Sequence, residues 1–289
     1  MRKPVFTGVC TALVTPFIHN QVNYPLLEQL IRYQTDAGVD AIVLSGTTGE
    51  SPTLSDEEKI TMIEKAKVYA ANSCTIIAGT GSNSTEHAIT ISVKAEQAGA
   101  DALLVVAPYY NKGNEEGLYQ HFCAIAKAVH IPVILYNVPT RTGVDIPISV
   151  YKRLSAIPNI AGVKEATSDI TKIVRIRNQC PADFYIWSGN DDQIVPVIAS
   201  GGQGVISVLS NLFPEDTVML TQAALAGDFD TAAALQAEFL PVIEFLFSEV
   251  NPIPVKYAMK YIGFDCGPCR LPLGPIGKAL QKRIDQFFN

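Results

Sequence analysis

Lys164 closes a short apolar run, Ile160-Ala161-Gly162-Val163, that reads as a buried strand, and Glu165-Ala166-Thr167 follow at once. Lysine is among the residues least often buried without a partner. At the mouth of a packed strand its ammonium loses hydration, which pushes the pKa down and leaves some neutral amine near neutral pH. Neutral amine is the species that forms a Schiff base with a carbonyl compound. The plainer alternative is a strand-end lysine that snorkels to water or pairs with a surface carboxylate. Glu165 is adjacent, but strand alternation points it to the opposite face and away from a direct pairing.

The elements around Lys164 decide between these alternatives. Ala37-Gly38-Val39-Asp40-Ala41-Ile42-Val43-Leu44 and Ala98-Gly99-Ala100-Asp101-Ala102-Leu103-Leu104-Val105 are nearly the same phrase: a glycine closes a helix, a short turn follows, and an apolar strand begins. The predicted strands are Val9–Val14, Ala41–Leu44, Ile76–Ala78, Ala102–Val106, Val133–Tyr136, Ala161–Val163, Tyr185–Trp187 and Val205–Val208. Helical spacing fills the gaps, as in Asp56–Ala70, Thr85–Ala98 and Glu115–Val129. Continuous apolar runs without polar alternation belong to a parallel sheet covered on both faces. Eight such units in about 210 residues predict an α/β fold, a (β/α)₈ TIM barrel rather than an open doubly wound sheet. From about Asp228 the pattern is helical only. The expected organisation is a catalytic barrel over residues 1–227 and a C-terminal helical extension, residues 228–289, packed beside it.

A barrel of this kind carries its site at the C-terminal ends of its strands. Thr47-Thr48-Gly49-Glu50-Ser51 follows the second strand, Gly79-Thr80-Gly81 the third and Tyr109-Tyr110 the fourth. Tyr136-Asn137 and then Arg141 end the fifth, Lys164 the sixth, Ser188-Gly189-Asn190 the seventh, and Ser207 lies on the eighth. Hydroxyls, phenols, one guanidinium and one amine therefore meet at one rim, an inventory suited to carbonyl chemistry. Each has a structural alternative. Thr47 and Thr48 also suit turn capping, though a Gly-bounded turn of small residues can form an anion nest. Tyr109 and Tyr110 also suit packing. Tyr136 can exchange a proton with a nearby amine. Arg141 sits in a loop, and arginine is the preferred fork for a carboxylate.

Composition narrows the function classes. The 289 residues carry a net charge of −6 and no basic stripe, which argues against nucleic acid as a partner. No run approaches the roughly 18 apolar residues of a membrane helix. Arg2 and Lys3 precede an apolar stretch, but Gly8 and Pro16 break it and no small-x-small cleavage site follows, so a cytoplasmic protein is expected. Six scattered cysteines do not form a disulfide framework. His19, His87, His121 and His130 lack ligand spacing, so no metal is expected.

Gly46-Thr47-Thr48-Gly49-Glu50, Tyr136-Asn137-Val138-Pro139-Thr140-Arg141-Thr142 and Gly162-Val163-Lys164-Glu165-Ala166-Thr167 closely resemble the dihydrodipicolinate synthase family. Asn251-Pro252-Ile253-Pro254-Val255-Lys256 resembles it too, and the likeness runs over essentially the whole chain. The resemblance implies a Schiff-base aldol condensation of pyruvate with L-aspartate 4-semialdehyde to 4-hydroxy-tetrahydrodipicolinate, on the route to diaminopimelate and lysine. It implies no cofactor beyond the covalent imine. By the family pattern Lys164 attacks the pyruvate ketone, and Tyr136 relays protons with Thr47 and with Tyr110 from a neighbouring subunit. Thr47 and Thr48 hold the pyruvate carboxylate, Arg141 holds that of the semialdehyde, and main-chain groups at Gly189 and Ile206 contribute. A homotetramer built as a dimer of dimers is implied.

Relatives inhibited by lysine bind it at the dimer interface, and Ser51, Asn83 and Tyr109 match that pattern. His87 stands where inhibited enterobacterial members have a glutamate, and Asp56 and Lys59 stand where they have histidines. The expectation is weak or absent inhibition.

Two other readings are open to the sequence. N-acetylneuraminate lyase and 2-keto-3-deoxy-sugar aldolases share the barrel, lysine and tyrosine, but Arg141 favours a short acidic aldehyde over a polyol. Cys266-Gly267-Pro268-Cys269 has redox-motif spacing, yet it falls in a loop between C-terminal helices and not after a strand at a helix N-terminus.

Overall fold

Runs of Val, Ile, Leu and Ala are stable as strands only where both faces are covered, and the chain meets that requirement by closing its sheet. The computed structural model describes residues 2–288. Its barrel strands are β1 (Gly8–Ala12), β2 (Ala41–Leu44), β3 (Thr75–Gly79), β4 (Ala102–Val106), β5 (Val133–Asn137), β6 (Ile160–Glu165), β7 (Tyr185–Ser188) and β8 (Gly204–Ser207). Each pairs in parallel with its sequence neighbours, and β1 pairs with both β8 and β2, which closes the barrel. Alternation then sorts the side chains. Cys10, Val43, Leu104, Ile134, Tyr136 and Trp187 fill the interior. Ile42, Leu103, Val133, Leu135 and Val163 face the helices.

All eight predicted strands are present, Ala41–Leu44 and Ala102–Val106 with the predicted bounds and the other six with shifted ends. The first stops at Ala12 and not Val14, because the Val14 amide donates to Asn211 Oδ1 (3.1 Å) instead of a strand neighbour. A short hairpin, Phe17–Ile18 with Gln21–Val22, was not anticipated. His19 and Asn20 form its two-residue turn with φ of 48° and 61°, the left-handed pair that matches strand twist.

The helices Asp56–Ala70, Thr85–Gln97 and Glu115–Ala128 fall where the spacing puts them. Ser55 and Glu58 form a reciprocal capping box at the first, and Ser84 and Asn114 cap the other two. After the barrel come Phe229–Phe247, Ile253–Met259 and Lys278–Phe288. Cys266 and Cys269 lie in the loop between the last two. Both are free, and burial pushes each thiol up to about 12. Neither is a thiolate near neutral pH, so the pair lacks the nucleophile that redox exchange needs.

His121 lies buried on the helix Glu115–Ala128, with Nδ1 2.9 Å from Thr85 Oγ1 and, among the described residues, no hydrogen-bond partner on Nε2. Burial lowers its pKa from 6.5 to about 4. A depressed folded-state pKa means the neutral ring's contribution is full above pH 6.5 and is lost as pH falls toward about 4. The shift is worth about 3 kcal/mol at most. Urea unfolding of His121→Phe should therefore show a shallower loss of stability over this interval than the unsubstituted protein. Equal pH slopes for the two would contradict the assignment.

Candidate active site

Lys164 sits on β6 in register with Tyr136 on β5 and Trp187 on β7. Same-register residues of neighbouring parallel strands point the same way, here into the C-terminal mouth of the barrel. Lys164 is 5% exposed and Tyr136 6%, and the lysine Nζ lies 4.4 Å from the centroid of the phenol ring. The strand packing depends on Gly162, where a Cβ would come within 2.0 Å of the Tyr185 carbonyl oxygen. Glu165 points the other way, as alternation requires. It accepts from Asn137 Nδ2 (2.7 Å) and Tyr151 Oη (2.9 Å) and lies 3.5 Å from Lys172 Nζ, while Asp145 pairs with the same lysine. Burial raises the Glu165 pKa against the pull of Lys172. This buried network braces the outer side of the strands that present Tyr136 and Lys164.

A second buried carboxylate stands on the inner side. Asp191 follows β7, and its Oδ2 accepts from the amides of Val208 and Leu209 (3.0 Å each), tying the end of β7 to the end of β8. Its Oδ1 has no hydrogen-bond partner among the described residues. Burial raises its pKa, opposed by Ser207, by the amides of Leu209 and Val208 and by the charge of Lys164. The same lysine opposes the burial that lifts the thiol of Cys10.

The turn after β2 is built under constraint. Ser45 and Glu50 take left-handed φ of 55° and 59°, and the Glu50 and Ser51 amides close the turn on the carbonyls of Thr47 and Gly46. Gly79 lets it settle against β3, since a Cβ there would lie 2.2 Å from the Ser45 carbonyl oxygen. Glu50 is fully buried and pairs with Lys256 Nζ at 2.8 Å, and its other oxygen accepts from the Arg270 amide (2.8 Å). Thr48 is also buried, its hydroxyl 3.0 Å from Asn251 Nδ2. Arg141 extends from the short helix Pro139–Thr142 and donates to the Asn251 carbonyl (3.1 Å).

These parts border one cavity of about 460 Å³. Its lining includes Thr47, Tyr136 and Arg141 together with Ser51, Asp56, Lys59, Ser82, His87 and Tyr109. Lys164 is not in the wall and meets the cavity through Tyr136. His87 Nε2 lies 3.1 Å from Asp56 Oδ2, and burial lowers the Lys59 pKa despite Asp56 nearby.

Other residues singled out in the sequence lie elsewhere. Tyr110 is 88% exposed with φ of 73°, its ring on the outside of this chain. Asn83 lies off the cavity and offers its carbonyl to Asn111 Nδ2 (2.8 Å). The Gly189 amide is committed to the Glu165 carbonyl (2.8 Å). Ile206 is fully buried beside Cys10 in the barrel ladder. Neither Gly189 nor Ile206 lines the cavity.

Sequence reading passed over Glu50, Asp191, Asn251 and Lys256 as individuals. Lys256 alone carried a usable signal. It shares the buried face of the helix Ile253–Met259 with Val255 and Met259, and a lysine on an apolar stripe requires a partner.

A closed parallel barrel with an amine, a phenol, a hydroxyl and a guanidinium gathered at its C-terminal mouth defines a (β/α)₈-barrel enzyme of carbonyl chemistry. The model of the dihydrodipicolinate synthetase family matches residues 5–288. The chain belongs to that family. It is 48% identical to the 4-hydroxy-tetrahydrodipicolinate synthase of Acetivibrio thermocellus, over 94% of this chain and 93% of that one. It is 50% identical to the enzyme of the same name from Lachnoclostridium phytofermentans, over 96% and 95%. The crystal structure of dihydrodipicolinate synthase from Aquifex aeolicus superposes with a TM-score of 0.96 at 41% identity, covering 98% of this chain and 97% of the other.

Proposed function

We propose that the protein condenses pyruvate with L-aspartate 4-semialdehyde to give 4-hydroxy-tetrahydrodipicolinate, in the biosynthesis of diaminopimelate and lysine. The observation that carries this reading is the buried amine of Lys164 against the phenol of Tyr136, in a chain of this family. The neutral amine adds to the pyruvate ketone, and water leaves once its oxygen is protonated. The cationic imine then draws electron density from the methyl group, which loses a proton. The resulting enamine attacks the aldehyde, whose oxygen takes up a proton, and the semialdehyde's amino group then adds to the imine carbon and expels the Lys164 amine, which closes the ring and frees the enzyme. Tyr136 serves these transfers with Thr47, which lines the same cavity, and with Tyr110 supplied across a subunit contact. The Thr47-Thr48 turn holds the pyruvate carboxylate, with main-chain groups at Gly189 and Ile206 contributing, and Arg141 holds that of the semialdehyde.

The imine is the only covalent carrier this chemistry needs. The assignment includes residues 1–227 as the catalytic barrel, 228–289 as the helical region beside it, a homotetramer built as a dimer of dimers, and a cytoplasmic setting. Among the described residues no helix is long and apolar enough to cross a membrane.

Turnover in an assay coupled to the next reductase tests the substrate pair. Product formation is expected from pyruvate with aspartate semialdehyde and not from pyruvate with N-acetylmannosamine. The reverse preference would move the enzyme to the sugar-acid lyases. Tyr136→Phe should lower kcat by about 10²- to 10⁴-fold, the range for a positioned proton-transfer group, with the pyruvate KM little changed. A kcat within threefold of the unsubstituted value would remove Tyr136 from the relay.

Lysine inhibition should be weak or absent. Ser51, His87 and Tyr109 line the cavity and Asn83 lies nearby, but the Asp56 carboxylate is engaged by His87, and Lys59 adds a cation to the wall. An incoming ammonium meets a like charge and no free carboxylate at the His87 position. Strong inhibition at sub-millimolar lysine would contradict this.

A further inference from the structure

Asn251 joins the two halves of the candidate site, although it lies in the C-terminal segment and not at a barrel strand. It is 5% exposed, its Nδ2 lies 3.0 Å from the Thr48 hydroxyl, and its main-chain carbonyl accepts from Arg141 at 3.1 Å. Its Oδ1 is buried without a hydrogen-bond partner among the described residues. Packing alone does not account for a buried amide that spends its donor on a turn hydroxyl and leaves its acceptor empty. The segment is itself anchored to the same turn, since Lys256, on the helix Ile253–Met259 that follows, pairs with Glu50.

We propose that Asn251 is a positioning residue that sets the donor-binding Thr47-Thr48 turn and the acceptor-binding Arg141 at a fixed separation. The C-terminal helices thereby take part in substrate selection: one residue fixes where each of two carboxylates docks. This rests on the substrate roles given above for Thr48 and Arg141. Removing the Asn251 side chain frees the Thr48 hydroxyl but keeps the main-chain carbonyl that holds Arg141, so the loss falls on the pyruvate side. Asn251→Asp keeps the shape and an acceptor for the Thr48 hydroxyl. It also places a negative charge beside Arg141, which competes with the carboxylate of the semialdehyde.

The test combines borohydride trapping of pyruvate with steady-state kinetics in both substrates. Asn251→Ala should still trap pyruvate on Lys164, with the pyruvate KM raised about 3- to 10-fold, the span of one lost hydrogen bond, and kcat nearly unchanged. Asn251→Asp should raise the semialdehyde KM about tenfold or more and leave pyruvate trapping close to normal. Thr48→Val combined with Asn251→Ala should be no worse than Thr48→Val alone, because both remove the same bond. Unchanged KM values in both Asn251 variants, or additive effects in the double variant, would overturn the proposal. So would a loss confined to kcat and matching a fall in thermal midpoint, which marks a merely structural role; the isosteric Asn251→Asp gives a reading even if Asn251→Ala folds poorly. If the unsubstituted enzyme fails to trap pyruvate, the functional assignment falls instead, and the two failures are separate results.

Discussion

Lys164→Ala is expected to lose about 10⁴-fold or more in kcat while folding at least as well as the unsubstituted protein. The size follows from the lysine's position in the chemistry: without the amine no imine forms, and the remaining groups only bind and orient. Stability should not suffer, because the side chain is buried against a phenol ring and its removal relieves the cost of desolvating an ammonium. Lys164→Arg should be equally inactive, since a guanidinium stays protonated and cannot add to a ketone. Steady-state rates and a thermal melt on the same samples check both halves. An alanine variant within tenfold of full activity would remove Lys164 from the reaction.

The second large effect is on stability. Lys256→Met leaves Glu50 fully buried without its Lys256 counter-ion, with the Arg270 amide still donating to it. Breaking a buried pair from one side costs about 3–5 kcal/mol. For a chain of this size that lowers the thermal midpoint by about 10 °C. The double substitution Glu50→Gln with Lys256→Met should recover much of the loss, because no uncompensated charge remains. Glu50 also ends the Thr47-Thr48 turn, so Lys256→Met should impair turnover even below its melting transition. Equal stability of Lys256→Met and the unsubstituted chain would show that the pair does not hold the turn.

The barrel was legible because each of its strands is a continuous apolar run, and a run covered on both faces leaves few sheet arrangements open. The positions of Lys164, Tyr136 and Arg141 were legible for the same reason: residues at or shortly after the C-terminal end of a strand must stand at the mouth. The helix boundaries followed from capping residues such as Ser55, Ser84 and Asn114. What escaped was pairing between distant segments. Glu50 and Lys256 are 206 residues apart, and Thr48 and Asn251 are separated by 203. No local period encodes such contacts; they exist only once the C-terminal helices dock on the rim. The hairpin at Phe17–Val22 escaped because its His19-Asn20 turn lacks the glycine that usually marks such a loop. Nor could spacing show that Tyr136 and Arg141 share one cavity with Asp56 and His87.

A covalent imine between pyruvate and Lys164 can be trapped and located. The protein is incubated with pyruvate, reduced with borohydride, digested, and mapped by mass spectrometry. The expected result is a single reduced adduct on the peptide carrying Lys164, absent when pyruvate or borohydride is omitted and absent from Lys164→Ala. A label on any other lysine, or none at all, would contradict the account.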